Sequence, residues 1–167
     1  ISEGLLVEGW RFLAVGFDIT ESRGSSRSLL KLQRDLALRL GSAETSIDAA
    51  ELVADTVIRV DSIDCCGFYI LDDAGENYEM IAYRGVSEKF AQDHRIVAFG
   101  SPQGLAIREG KPVYTTYDAL IRDLDLPSSN EGIKALVGYP VMHEGLTVAC
   151  LNIGSYARDY FDESELS

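Results

Sequence analysis

The sequence predicts an α+β domain built on a mostly antiparallel central sheet of five to six strands flanked by helices. Three observations predict it. Residues 64–73 (DCCGFYILDD) form an almost unbroken apolar run that ends in turn chemistry, as a strand covered on both faces does. Helical periodicity is concentrated ahead of that run, and behind it short strands alternate with short helical crossovers until a final hairpin. The chain has 167 residues, 46% of them apolar, which at roughly 150 residues per domain makes one domain and a little over, with enough material for a core.

Taken in order, residues 10–17 (WRFLAVGF) alternate imperfectly and read as a strand, followed at once by Asp18-Ile19-Thr20-Glu21-Ser22-Arg23. From Ser25 the period changes: Leu29, Leu32, Leu36 and Leu40 recur at helical spacing, and Gly41 stops the run as a C-terminal cap would. Leu30 and Leu38 widen the apolar stripe beyond one face. That width suits a helix that packs on its own domain and meets a second copy in a parallel seam; an amphipathic helix on a monomer fits the same residues. A second helix is expected from about Ser46 to Asp61, with Ile47, Ala50, Val53, Val57 and Val60 on one face.

The run at 64–73 ends in Asp-Asp-Ala-Gly, which predicts a hairpin to Tyr78–Tyr83. A helical piece at Ser87–Asp93 leads to a strand at Arg95–Phe99. Ser101 at the cap and Pro102 at the first position open another helix, closed by Gly110. Residues 112–117 are the next strand, 118–124 a weak helix and 127–132 a polar loop. The turn His143-Glu144-Gly145 joins a strand at Ile133–Met142 to one at Leu146–Tyr156. Phe161–Leu166 looks like a helix just begun, with Asp162 as cap, Glu165 closing a capping box, and Phe161 and Leu166 as the staple. With Ile1 in first place, both ends are expected to be cuts in a longer protein.

Charge and cysteine content narrow the function. Lys plus Arg number 15 against 27 Asp plus Glu, and a net charge of -12 repels a phosphate backbone, so no nucleic-acid partner is expected. No apolar stretch approaches a membrane span, and direct membrane contact is not expected either. Cys65, Cys66 and Cys150 are odd in number and sit in apolar runs, the pattern of packed, reduced thiols in a cytoplasmic protein. Cys65 and Cys66 should point to opposite faces of their strand. With no Cys-x-x-Cys and only His94 and His143 in the chain, no metal site is expected.

Two resemblances run through these elements. The strand leading into Asp-Ile-Thr-Glu-x-Arg resembles the closing strand and exit motif of a PAS domain. The wording from about Leu29 to Leu166 resembles a GAF domain. FYILDD followed by glycine is similar to that family's first strand, and AYRGVSE to its Ala-x-x-Gly-x-Ser step. GLAIREGKPV resembles its Gly-Lys-Pro-Val helix end, and the Pro-Val hairpin running into Phe-x-x-x-Glu-Leu resembles its exit. The resemblance implies residues 1–23 as the remnant of a PAS domain, 24–41 as a signalling helix and 42–167 as a GAF domain with a truncated exit helix.

One enzymatic branch of that family, the free methionine sulfoxide reductases, uses cysteine thiolates near one mouth of the pocket. This chain lacks the loop cysteine such chemistry needs, so no catalytic residue is assigned. The Cys-His pair of tetrapyrrole-binding relatives and the Asn-Lys-x-x-Phe signature of cyclic-nucleotide-binding relatives are also missing; His94 is the one candidate for a haem ligand. The resemblance further implies a cavity between the sheet and the crossover helices. Tyr69, Tyr83, Phe99, Tyr114, Tyr117 and Tyr139, with Asp118 and Asn152 as hydrogen-bonding groups, are the candidate lining for a small, partly apolar ligand. No cofactor is named by the sequence.

The expectation is thus a non-catalytic sensory domain of a multidomain bacterial signal-transduction protein, with a histidine kinase or diguanylate cyclase as its parent. It would bind a small ligand and form a homodimer through Leu29–Leu40. The rival expectations are a methionine-R-sulfoxide reductase-type enzyme and a ligand-free dimerisation spacer.

Overall fold

A computed structural model of the chain describes residues 43–124, 126 and 131–161, together with Asp35 and Leu38. The expected strand at 10–17, the acidic motif at 18–23 and the exit helix from Asp162 lie outside the described residues. Of the helix expected at Leu29–Leu40, Asp35 and Leu38 are described; both are helical and exposed.

Helix α1 (Ser46–Val57) starts where a capping box forms: the Asp48 amide donates to the Thr45 hydroxyl, and the Thr45 amide donates to the Asp48 carboxylate. It buries Ala49, Ala50, Val53, Ala54 and Val57. The helix ends four residues before the expected Asp61. Ile47, expected on the buried face, is 57% exposed; it lies in the first turn, at the edge of the stripe formed by Ala49, Ala50, Val53, Ala54 and Val57.

The sheet has six strands: β1 (Cys65–Leu71), β2 (Asn77–Arg84), β3 (Ile96–Ala98), β4 (Val113–Thr116), β5 (Ala135–His143) and β6 (Leu146–Ser155). Their order is β3-β2-β1-β6-β5-β4, and every adjacent pair is antiparallel. Strand β1 lies in the central pair, apolar along its length and buried at six of seven positions, and β6 beside it is buried at eight of ten. The β5–β6 hairpin closes through Glu144 and Gly145, both at positive φ, the pairing a two-residue turn requires.

Helix α1 covers one face. Phe68, Ala82, Val137, Leu151 and Ile153 meet it there, all at most 2% exposed. The crossovers cover the other: α2 (Glu88–Asp93), α3 (Pro102–Arg108) and α4 (Tyr117–Leu124). Ser87 and Ser101 cap α2 and α3 with their hydroxyls, and Pro102 occupies the first turn of α3. Gly104 lets α3 sit on the end of β3, since a Cβ there would fall 2.2 Å from the Ala98 carbonyl oxygen.

The two ends of the sheet's central pair are tied together. Asp64, just ahead of β1, accepts from the Ser155 hydroxyl at 2.6 Å and from the Tyr156 amide at 2.8 Å. Those donors hold its carboxyl below the usual range. The Tyr156 hydroxyl in turn donates to the Gly85 carbonyl at 2.6 Å.

Candidate functional site

The crossover face is not filled evenly. Reading across the sheet in register, Tyr83, Gly67, Asn152, Gly138 and Val113 form one row over β2, β1, β6, β5 and β4. Asn152 therefore stands between two positions that have no side chain. Glycine inside an apolar strand marks a place where something else must approach the backbone, and here a hollow lies over each one.

The first hollow, about 50 Å³, is lined by Gly67, Cys65, Tyr69, Met80, Phe90, His94, Tyr117, Leu126 and Ile133 among others. The second, also about 50 Å³, is lined by Gly138, Ala106, Ile107, Lys111, Val113, Leu124, Pro140 and Cys150. Gln103, Leu120, Leu136 and Asn152 line both, so the two are adjoining halves of one trough between the sheet and α3 and α4.

The polar atoms of the first half are turned on each other. His94 Nδ1 lies 2.9 Å from the Phe90 carbonyl oxygen; a carbonyl only accepts, so Nδ1 carries the proton and donates. Nε2 is then left to accept from the Tyr117 hydroxyl at 3.1 Å. The Tyr69 hydroxyl donates to the His94 carbonyl at 2.8 Å, and the Phe90 ring stacks on the imidazole at 4.0 Å. Burial pushes the Tyr117 phenol up to about 12 and the Tyr69 phenol well above its usual range. Both remain neutral donors.

Of the eight expected lining residues, the structure brings three together in the trough: Tyr69, Tyr117 and Asn152. Tyr83 lies in the same row but is 36% exposed and lines neither half. Phe99 packs with Tyr78 at 5.8 Å and carries the Arg108 guanidinium over its ring, outside both halves. Asp118 is exposed in the first turn of α4. Tyr114 and Tyr139 belong to the α1 face, edge to face at 6.2 Å with their hydroxyls 3.2 Å apart. The parity of the strands decides this: Val113 and Gly138 face the trough, so their successors face away. Sequence reasoning missed Gly67, Gly138, Gln103 and Leu136. The two strand glycines carried a usable signal, whereas the other two enter only through tertiary packing.

The three thiols are buried and free. Cys65 and Cys66 do point to opposite faces. Burial pushes Cys65 up to about 12, Cys66 to about 11 and Cys150 to about 12, so none is a thiolate at neutral pH. Cys66 has a cation nearby that the sequence did not suggest, since Arg84 is its partner in register. That cation lowers the thiol's pKa less than burial raises it, and it is itself engaged by Glu51 and Asp55.

The family model for the GAF domain matches residues 43–167. Among solved structures, the GAF domain of an Acinetobacter phosphoenolpyruvate-protein phosphotransferase is 20% identical, with 84% of each chain covered and a TM-score of 0.69. A free methionine-R-sulfoxide reductase from Neisseria meningitidis, in complex with its substrate, is 16% identical over 90% of this chain and 86% of that one, with a TM-score of 0.66. A domain of a putative two-component sensor histidine kinase protein from Sinorhizobium meliloti 1021 is 22% identical over 74% and 81%, with a TM-score of 0.54. At these identities the structures share the fold alone. No curated protein matches the chain.

Proposed function

Because the chain belongs to the GAF domain family, we propose that it is the sensory or regulatory domain of a larger signalling protein, with a small molecule in the trough as its input. The observation that supports this is the row Gly67–Asn152–Gly138, which keeps an interior face open and places one hydrogen-bonding side chain in the middle of it. The output in this reading is the geometry of the segments joined at Asp64 and Tyr156. Occupancy that favours one arrangement of them shifts a two-state equilibrium in the neighbouring domain.

A cytoplasmic histidine kinase is the host we favour; the Sinorhizobium neighbour and the segment like a PAS exit support the kinase, and the three unpaired cysteines in apolar runs support the compartment. Dimerisation through Leu29–Leu40 belongs to the same proposal. The high thiol pKa values support a non-catalytic role.

A thermal-shift screen of amino acids, carboxylic acids, nucleotides and haem tests the reading. At least one class is expected to raise the melting temperature by a few degrees at saturating concentration. A folded protein that responds to none of them is a spacer, and thiol-dependent turnover of free methionine sulfoxide would make it an enzyme.

A further inference from the structure

The trough has two chemically different ends. In the half over Gly67 the Tyr69 and Tyr117 hydroxyls and both imidazole nitrogens of His94 are already hydrogen-bonded to one another or to backbone. Apart from the Asn152 and Gln103 amides that it shares with the other half, that half therefore offers a visitor ring faces and aliphatic carbons. The half over Gly138 ends at Lys111, which enters no hydrogen bond or ion pair among the described residues.

Carboxylates outnumber cations 27 to 15 in the chain, and Arg84 is held by Glu51 and Asp55, Lys89 by Asp93, Arg95 by Glu79, Arg122 by Asp123 and Lys134 by Asp159. Arg59 and Arg108 also lack a carboxylate partner among the described residues, but neither lines the trough, so Lys111 is the unpaired cation at its wall. Between the two ends stands Asn152. Its side-chain oxygen accepts from the Cys150 thiol at 3.4 Å, which leaves its NH₂ uncommitted, as is the Gln103 amide that lines the same two halves. A cation beside low-dielectric walls attracts an anion more strongly than one in open water, and in an acidic protein such a spot is the favourable place for negative charge.

Resting on the trough as the ligand site, we propose that its occupant is a small monocarboxylate with an apolar body. The body lies over Gly67 against Tyr69, Phe90 and Tyr117, the carboxylate meets Lys111, and Asn152 and Gln103 donate to oxygen atoms between. A phosphate dianion or a nucleotide fits this arrangement less well, because one cation is offered where a doubly charged group recruits several.

Calorimetric titration of the whole chain with 3-phenylpropionate and with its neutral amide tests the proposal. The acid is expected to bind at least ten-fold more tightly than the amide, and Lys111→Met, a change at an exposed position, is expected to bring the two within about two-fold of each other. Asn152→Ala is expected to weaken both. Equal binding of acid and amide, or a preference that survives Lys111→Met, overturns the carboxylate proposal and leaves the trough as a site for neutral ligands. Binding of neither probe overturns it as well, while the metabolite screen decides separately whether the trough takes any ligand.

Discussion

The two faces of one sheet are built to opposite ends. Toward α1, Phe68, Val137, Leu151 and Ile153 are completely buried, and small residues on the helix let it settle close to the sheet. Toward the crossover helices, glycines replace side chains at the centre, and hollows lie over them beside the hydrogen-bonded Tyr117–His94 pair. The difference teaches that tight packing and open interior space are separated across a single layer of backbone. One face supplies most of the apolar burial that folds the chain, which frees the other to stay incompletely packed.

The separation breaks or sharpens under four substitutions. Phe68→Ala is expected to cost about 3–5 kcal/mol in urea unfolding, whereas Leu136→Ala, half-buried over the trough, is expected to cost less than about 2 kcal/mol. Comparable losses at the two sites would mean that the trough face is as much a part of the core as the other. Tyr117→Phe removes the hydroxyl that His94 Nε2 accepts from, and a loss of about 1 kcal/mol is expected in the same assay, with a chemical-shift change at the His94 ring. No change at that ring would show that the cluster is not bonded as described. The smallest effect has the opposite sign. Gly67→Ala places a Cβ in ordinary contact with Met80 and Tyr69, 3.4 and 3.6 Å away, and removes backbone freedom from the unfolded chain. It is expected to stabilise by about 0.5 kcal/mol while narrowing the first hollow.

Much of this division was legible in the sequence, for local reasons. Ser101-Pro102 and Glu144-Gly145 act within a few residues, so the helix start and the hairpin fell where the sequence put them. Tyr69 and Asn152 were legible as trough residues because each sits in a strongly apolar strand with a fixed period of two. Tyr114 and Tyr139 were not, because their strands are short or interrupted and the faces they take depend on the pairing of β4 with β5 and of β5 with β6, a long-range property. Tyr117 was expected at a strand end and begins α4 instead; its amide donates to the Lys134 carbonyl, which no neighbour in sequence announces. Lys111 was not among the expected lining residues, since its place at the hollow depends on how β4 docks on β5.

The carboxylate of Asp64 has a mechanical consequence. Cys65 pairs with Gly154, so β1 begins where β6 finishes, and tension applied between those two points would open the ladder one rung at a time, as a zip opens, instead of loading all rungs together. The grip on Ser155 and Tyr156 sits at the first rung. A body held this way resists pulling with one small cluster, and the force that frees its ends is set there while the rest of the fold stays unstressed.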